Sequence, residues 1–190
     1  SYIVTAENLN GNIKKIAPYF TLSGEGTEAS PYIIGTADEW NTFCGYVNDG
    51  CSFSGYYVRL NNDINVTTMA GASYTNSFQG TFDGDDKTLT VNYNTTENNA
   101  APFSHVRNAT IKNLRVAGSI TTSAPFAGGI VSESHEALTL TGCISSVAIN
   151  NSKSGDGTHA GLVSVLSGRG NAILIDGCVF DGSFATTTGT

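Results

Sequence analysis

The chain has 190 residues, 39% of them hydrophobic, which is enough for one globular domain with a substantial core. Its net charge of −7 argues against nucleic acid as a partner, because that binding needs Lys and Arg residues to release phosphate counterions. No apolar stretch approaches the ~18 residues that a membrane span requires. We therefore predict neither nucleic-acid binding nor membrane insertion.

Charged residues make up only 13% of the chain, whereas glycine alone contributes 22 residues. Exposed helices normally carry many Glu and Lys residues, so this composition is poor material for them. It is typical of short strands with polar, uncharged outer faces and closely spaced turns. The composition therefore predicts an all-β fold.

Residues 1–20 differ from the rest of the chain, and we predict a linker or an edge segment there. One domain is predicted to follow over residues 21–190. The first residues lack the basic and apolar regions of a signal peptide. The chain stops at Thr190, where another repeat would begin, so we expect a fragment of a longer protein.

One segment, near residues 37–48, predicts a helix. Thr36 and Glu39 have the spacing of a capping box, in which the two side chains satisfy free amides at a helix start. Four apolar residues then follow at helical spacing: Trp40, Phe43, Cys44 and Val47. We expect this apolar face to cover the N-terminal end of a strand stack, where unpaired edges would invite aggregation.

Alternating apolar residues predict short strands at 56–60, 63–66, 78–82 and 88–93. An acidic turn follows the third of these strands and contains Asp83, Asp85 and Asp86. Their carboxylates offer oxygen ligands to calcium, but a full calcium loop supplies more ligands at regular spacing. We interpret the segment as a polar turn, in which Asp and Gly tolerate unusual backbone angles.

The segment from 103 to 184 repeats itself. Three copies, 111–120, 140–149 and 175–184, share their apolar or small positions, with Asn113, Gly142 and Gly177 at one turn-like position. Shorter matching blocks precede the copies at 101–103, 128–131 and 160–163. Repeats of this length indicate equivalent strands stacked in parallel, each turn burying its inner side chains against the next.

These features predict a right-handed parallel β-helix with one capping helix near 37–48. A β-sandwich is the alternative, because short strands with frequent turns also fit it. A sandwich gives no reason for Gly and Cys to recur at matching positions.

The four cysteines leave two alternatives open. Cys44 and Cys51 flank a turn, and Cys143 and Cys178 share one repeat position, so each pair would be close enough for a disulfide. For Cys143 and Cys178 the alternative is two free thiols that pack as small hydrophobic groups in the core.

Several motifs occur in the order seen in bacterial surface proteins that carry right-handed parallel β-helices. They lie at 26–34, 38–43, 57–64 and 78–84. The segments 127–131 and 160–163 resemble degenerate copies of the Gly-Leu-Val-Gly unit of GLUG repeats, with Ser132 and Ser164 in place of the closing Gly. The resemblance implies a bacterial protein that is secreted or at the cell surface, often with an adhesive role. It supplies no catalytic residues.

The unequal repeat lengths place extra residues in loops at 150–158 and 167–171, outside the stack. We predict ligand contacts in these loops, from Asn151, Lys153, Asp156, Arg169 and Asn171. The predicted partner is a glycan or a host or cell-surface protein. Surface tyrosines would add stacking platforms, unless they pack in the core or in turns: Tyr46, Tyr56, Tyr57, Tyr74 and Tyr93.

A catalytic site is not apparent in the sequence. A glycosidase needs two carboxyl groups facing each other, and no second acid falls on the face of Asp176 or Asp181, while Asp156 lies in a loop. The three histidines, His105, His135 and His159, lack the spacing of metal ligands, so we predict no metal site and no cofactor.

The leading hypothesis is a non-catalytic β-helix module for adhesion, ligand binding or display, secreted or at the bacterial cell surface. A polysaccharide lyase or glycosidase is the first alternative. A structural cap at the start of a longer solenoid is the second.

Overall fold

The computed structural model describes residues 20–153, 157–167 and 172–186, and it shows a parallel β-helix. The predicted fold class is confirmed, since every strand pair among these residues is parallel, from the first to the last turn. A sandwich would require antiparallel sheets, so that alternative is wrong. The predicted segment 1–20 lies outside the described residues except for Phe20.

Two long sheets run along the stack. Sheet I contains β1 (Tyr32–Ile34), β2 (Tyr57–Leu60), β4 (Thr81–Asp83), β8 (Ala109–Lys112), β12 (Leu138–Thr141) and β17 (Ile173–Asp176). Sheet II contains β3 (Ile64–Val66), β5 (Thr88–Thr95), β9 (Arg115–Thr122), β13 (Ile144–Ser145), β14 (Ala148–Asn151), β18 (Val179–Phe180) and β19 (Ser183–Thr186).

Two short sheets complete the later turns. Sheet III contains β7 (Phe103–Val106), β11 (Val131–Ser134) and β16 (Val163–Leu166). Sheet IV contains β6 (Asn99–Ala100), β10 (Phe126–Gly128) and β15 (Thr158–Ala160). Each later turn therefore visits sheets IV, III, I and II in that order.

The strand register follows the repeat alignment. Leu140 pairs with both Ile111 and Ile175, which occupy the same position in the three copies. The shared turn position is left-handed in every copy, with φ of 51° at Asn113, 61° at Gly142 and 59° at Gly177. Asn and Gly tolerate this region better than other residues do, so each turn leaves sheet I by the same corner.

The helix α1 (Ala37–Asn48) begins and ends where the sequence predicts. The Oγ1 atom of Thr36 accepts a hydrogen bond from the Glu39 amide at 3.2 Å, and a Glu39 carboxylate oxygen accepts one from the Gly35 amide at 2.8 Å. Trp40 and Phe43 are fully buried against the Phe82 and Phe103 rings of the strand stack. The helix therefore covers the N-terminal end of the β-helix.

The last turn differs from the others in exposure. Ile173, Ile175 and Phe184 pair with buried residues of the preceding turn, yet they are 37%, 44% and 50% exposed. The inner side chains of this turn are covered on one side only. The described stack thus has a closed N-terminal end and an open, apolar C-terminal end.

All four cysteines are free thiols. Cys44 and Cys143 are buried, and this burial raises the pKa of each thiol to about 12. The amide of Cys143 donates to the Cys178 sulfur at 3.4 Å, so the two residues are neighbours on adjacent turns, as their repeat positions predict. The cysteines follow the small-hydrophobe interpretation.

The acidic turn at 83–86 is held by its own hydrogen bonds. One oxygen of Asp83 accepts from the Asp85 amide at 3.0 Å and from the Asn113 side chain at 3.1 Å, and the other lies 3.3 Å from Lys112 Nζ. Burial alone would raise the pKa of the Asp83 carboxyl, but these hydrogen bonds and the Lys112 charge outweigh it and lower that pKa. The arrangement fits the polar-turn interpretation.

Candidate functional site

A groove of about 700 Å³ opens on the side of the β-helix beside sheets III and IV. Its lining comes from the loop at 67–74, the turn at 97–99, and single residues of the helix and of two adjacent turns: Asn48, Ser104, His105 and His135. Most of these side chains are polar. The groove is therefore built from segments that lie far apart in the sequence and meet only in the stacked fold.

The C-terminal end of the helix holds the loop at 67–74 that lines one side of the groove. Asn48, the last helical residue, accepts a hydrogen bond from the Gly71 amide at 2.8 Å and donates to the Met69 carbonyl at 3.1 Å. Its own carbonyl accepts from the Asn76 side chain at 2.7 Å. One asparagine thus holds both ends of the loop that carries Tyr74.

Gly71 lets this loop approach the backbone of β7 closely. Its φ is +95°, and a Cβ atom placed there would lie 2.4 Å from the carbonyl oxygen of His105. No other residue would fit so close an approach. The two ends of the loop pair in parallel with β7, at Ala70 with Phe103 and at Phe78 with Val106, and Tyr74 between them contacts His135.

Tyr74 forms an exposed aromatic platform at the end of the loop. Its side chain is 47% exposed, and the Arg107 guanidinium carbon lies 5.0 Å from its ring centroid. The His135 ring meets it edge-on with centroids 4.9 Å apart, and its hydroxyl donates to Glu136 at 3.5 Å. These contacts hold the ring in place while one part of it remains open to solvent.

His105, Glu133 and His135 form a cluster, and its two histidines line the groove. Strand register places Glu133 beside His105, since β11 pairs with β7, and His135 follows β11. His105 Nδ1 lies 3.0 Å from His135 Nε2 and 3.7 Å from a Glu133 carboxylate oxygen. The other carboxylate oxygen lies 3.6 Å from His135 Nδ1. The two imidazole rings stack almost in parallel, with centroids 5.2 Å apart.

Neutral side chains surround the cluster. The Asn99 amide nitrogen lies 2.8 Å from His105 Nε2 and 3.4 Å from Glu133, and the Ser167 hydroxyl donates to Glu133. Burial lowers the pKa of His105, and His135 adds to this effect, whereas the Glu133 carboxylate opposes it. His105 is therefore neutral at pH 7 and offers a lone pair, which suits it to accept a hydrogen bond or to bind a metal ion.

The two predicted loop residues that the structure describes, Asn151 and Lys153, are not among the residues that line the groove. Asn151 is 3% exposed; its side chain donates to the Ala124 carbonyl at 3.0 Å and accepts from the Lys153 amide, so it holds a turn. Lys153 is half-buried. Three further predicted contacts, Asp156, Arg169 and Asn171, lie outside the described residues.

Of the acids considered for catalysis, the two that the structure describes, Asp176 and Asp181, do not line the groove. Asp176 ends β17 and Asp181 follows β18, and both are exposed on the last turn. Asp156 falls outside the described residues. Glu97 is the one carboxylate among the described residues that line the groove, and a glycosidase needs two.

Local spacing misses the histidine cluster because its members are joined across turns. His105 and Glu133 occupy equivalent places in the blocks Phe103-Ser-His105 and Val131-Ser-Glu133, one repeat apart. The repeat alignment therefore contains the signal, provided that outward-facing positions are compared between copies as well as inward-facing ones. The loop that brings Tyr74 to His135 has no counterpart in the repeats.

No protein-family model, curated protein or solved structure matches this chain. Among the described residues, no helix is both long and apolar enough to cross a membrane. The site must therefore be interpreted from its own geometry.

Proposed function

We propose that this chain is a non-catalytic β-helix module that binds a glycan in the groove beside sheets III and IV. As the resemblance to bacterial surface proteins with GLUG-like repeats implies, we assign it to a secreted or cell-surface protein. The observation that carries the proposal is the Tyr74 platform at the groove, fixed by Arg107 and His135.

The exposure of Tyr74 supports a binding role. Among the described residues, Tyr74 is the one exposed large hydrophobic residue outside the last turn; the others lie in that turn, between 166 and 184. Its neighbours restrict the ring before any ligand arrives, so little side-chain entropy is lost on binding. A fixed aromatic ring next to polar groups matches a sugar, which has an apolar face of C–H groups and a rim of hydroxyls.

The polar lining supports the same ligand class. Asn98 and Asn99 offer donors and acceptors in planar amides, Glu97 offers carboxylate acceptors, and Ser73 offers a hydroxyl. A groove of about 700 Å³ is within the range of small-molecule sites, whereas a protein partner normally needs a surface of roughly 800 Å². We therefore favour a short glycan over a folded protein.

Binding is also favoured over polysaccharide cleavage. Glu97 is the one carboxylate among the described lining residues, and the Glu133 carboxylate of the histidine cluster is held by His105, His135, Asn99 and Ser167. Hydrolysis of a glycosidic bond requires an acid and a base or nucleophile on the two sides of the bond.

A glycan array with the purified chain tests the proposal, followed by calorimetry on the sugars that bind. Tyr74→Ala should weaken binding by about tenfold, the effect of losing roughly 1.4 kcal/mol of stacking. Phe184→Ala is the matched control, because Phe184 is 50% exposed and lies on the last turn away from the groove lining. An array without any binding sugar, or equal affinity of the Tyr74→Ala variant, would contradict the proposal.

A cap at the start of a longer solenoid is a second candidate function, favoured by the open apolar end. Ile175 and Phe184 pair with buried residues of the preceding turn, but no described turn covers them on the other side. A copy of the 126–151 turn fused after the last strand should bury them and slow amide exchange in 173–186. Unchanged exchange in that segment would argue against a stacking role.

A further inference from the structure

We propose that His105, Glu133 and His135 form a site for a divalent transition-metal ion of the zinc class, with one coordination position open toward the groove. One ligand atom from each residue lies within 4.8 Å of the other two. The inference does not depend on glycan binding, because it concerns the side-chain cluster itself.

The distances fit a tetrahedral ion after small side-chain movements. Bonds of about 2.0–2.2 Å to His nitrogen and Glu oxygen hold neighbouring ligand atoms about 3.3–3.6 Å apart. His105 Nδ1 lies 3.0 Å from His135 Nε2 and 3.7 Å from a Glu133 oxygen. These two separations differ from that range by a few tenths of an ångström, and the third, between His135 and Glu133, is no more than 4.8 Å, so side-chain rotation would have to bring these two groups together.

The ligand set selects the kind of ion. Two imidazoles and one carboxylate suit zinc and neighbouring transition metals, whereas calcium and magnesium prefer oxygen ligands alone. Three protein ligands leave a fourth position, as in zinc sites that exchange water or bind a ligand. His105 and His135 line the groove, so that position faces it.

The charge of Glu133 favours a bound cation. Its side chain is only 18% exposed, and within the described part of the chain it has no ion pair with Lys or Arg. Its contacts are the two imidazoles, the Asn99 amide and the Ser167 hydroxyl. A poorly solvated carboxylate is costly without a positive partner, and a divalent ion supplies one.

The residues around the cluster also suit a metal site. A metal-bound histidine usually donates its second ring N–H to an oxygen, which fixes the ring. Asn99 lies 2.8 Å from His105 Nε2, and a half-turn of its amide would present its oxygen there. The Ser132 hydroxyl, 3.3 Å from the other end of the amide, would then accept a hydrogen bond from its nitrogen.

A stack of two imidazoles joined by one hydrogen bond is the competing explanation for the cluster. It requires no ion and predicts that added metal leaves the chain unchanged. The two explanations therefore differ in a direct binding measurement.

The test is a calorimetric titration of the chelator-treated, dialysed full chain with Zn²⁺ alone. We expect one ion per chain and a rise in Tm on adding Zn²⁺. Asn99→Ala should weaken Zn²⁺ affinity by roughly 10–100-fold, as expected for loss of a residue that holds a ligand in place. His135→Ala removes a ligand and should weaken the affinity by more than that. His159→Ala is the matched control, since His159 lies on the next turn outside the cluster, and it should bind like the parent chain.

Glu133→Gln keeps the size of the side chain and removes its charge, so it tests the site if His135→Ala fails to fold. Circular dichroism and thermal unfolding without metal check the fold of each variant. The Co²⁺-loaded chain should lack thiolate charge-transfer absorption, since the ligands are nitrogen and oxygen. Absence of Zn²⁺ binding, or equal affinity of the parent, Glu133→Gln and His135→Ala chains, would overturn the proposal. A failed glycan array would leave these measurements unaffected.

Discussion

Two substitutions in the capping helix should change stability in opposite directions. Trp40 is fully buried, packs against Phe43, Phe82 and Phe103 with ring centroids 5.4, 6.0 and 5.8 Å away, and donates to the Thr68 carbonyl at 2.9 Å. Burying a large aromatic side chain removes about 200 Å² from water, worth about 5 kcal/mol at ~25 cal/mol per Å². An alanine recovers only a small part of this area.

We therefore expect Trp40→Ala to lower the free energy of unfolding by about 3–5 kcal/mol, as for other buried aromatic truncations. The Thr68 carbonyl does not add to the loss, because the Tyr93 hydroxyl also donates to it at 2.9 Å. Trp40→Phe keeps most of the packing and removes the indole hydrogen bond, so it should cost about 1–2 kcal/mol.

Gly45→Ala is the matched substitution on the exposed face of the same helix. A Cβ atom at this position has nothing within 4 Å, and the residue does not have a positive φ. Alanine has the higher helix propensity, so this change should stabilise the chain by about 0.5–1 kcal/mol.

Urea unfolding followed by far-ultraviolet circular dichroism measures all three variants, since Trp40 is the single tryptophan and fluorescence would be lost with it. A loss below about 1 kcal/mol for Trp40→Ala would refute the tight packing of the helix on the stack. A loss for Gly45→Ala equal to that for Trp40→Ala would show that any change in the helix is disruptive, whichever face it is on.

Three further outcomes follow from the fold. Gly118→Ala should lower the Tm more than Gly55→Ala does. Both glycines have positive φ, but a Cβ atom at 118 would lie 2.1 Å from the Val91 carbonyl oxygen, whereas the space at 55 is open. Equal losses for the two variants would contradict the close strand contact at Gly118. Asp83→Asn should lower the free energy of unfolding at pH 7, and this loss should shrink progressively below about pH 4. The folded pKa of Asp83 is lowered, so the stability that its ionised carboxylate contributes disappears as the pH falls through the folded pKa. A difference between the two chains that does not change with pH would contradict this. Amide exchange should be slowest in β5 and β9, which pair along eight residues, and fastest in the exposed last turn. Uniform exchange rates along the chain would refute this gradient.

The repeats and the helix could be predicted because their signals are local or periodic. Each copy needs apolar residues at its inward-facing positions, so the same apolar pattern recurs in every copy. Paired inward residues of successive turns are Ile111, Leu140 and Ile175. The helix is likewise recognisable because its caps and its apolar face lie within a dozen residues.

The groove could not be predicted, because it depends on where outward-facing side chains meet in space. His135 and Tyr74 lie 61 residues apart and touch because the loop that carries Tyr74 packs closely against β7, where Gly71 meets the His105 backbone. Burial does not constrain the residue type at outward positions, so the repeat alignment places His105 beside Glu133 without marking either as a site residue. The unequal repeat lengths predict ligand contacts in the inserted loops, but the side chain of Asn151, the first residue predicted there, holds a turn.

The shared left-handed corner at Asn113, Gly142 and Gly177 has a consequence for how such a chain can change in length. Since each turn leaves sheet I at the same angle and in the same register, loss of the whole turn from β10 to β14 would bring Ile175 against Ile111 and Phe184 against Ile120. The stack would close again around equivalent partners. Glu133 and His135 would be lost with that turn, so shortening by one repeat would preserve the scaffold while erasing the site.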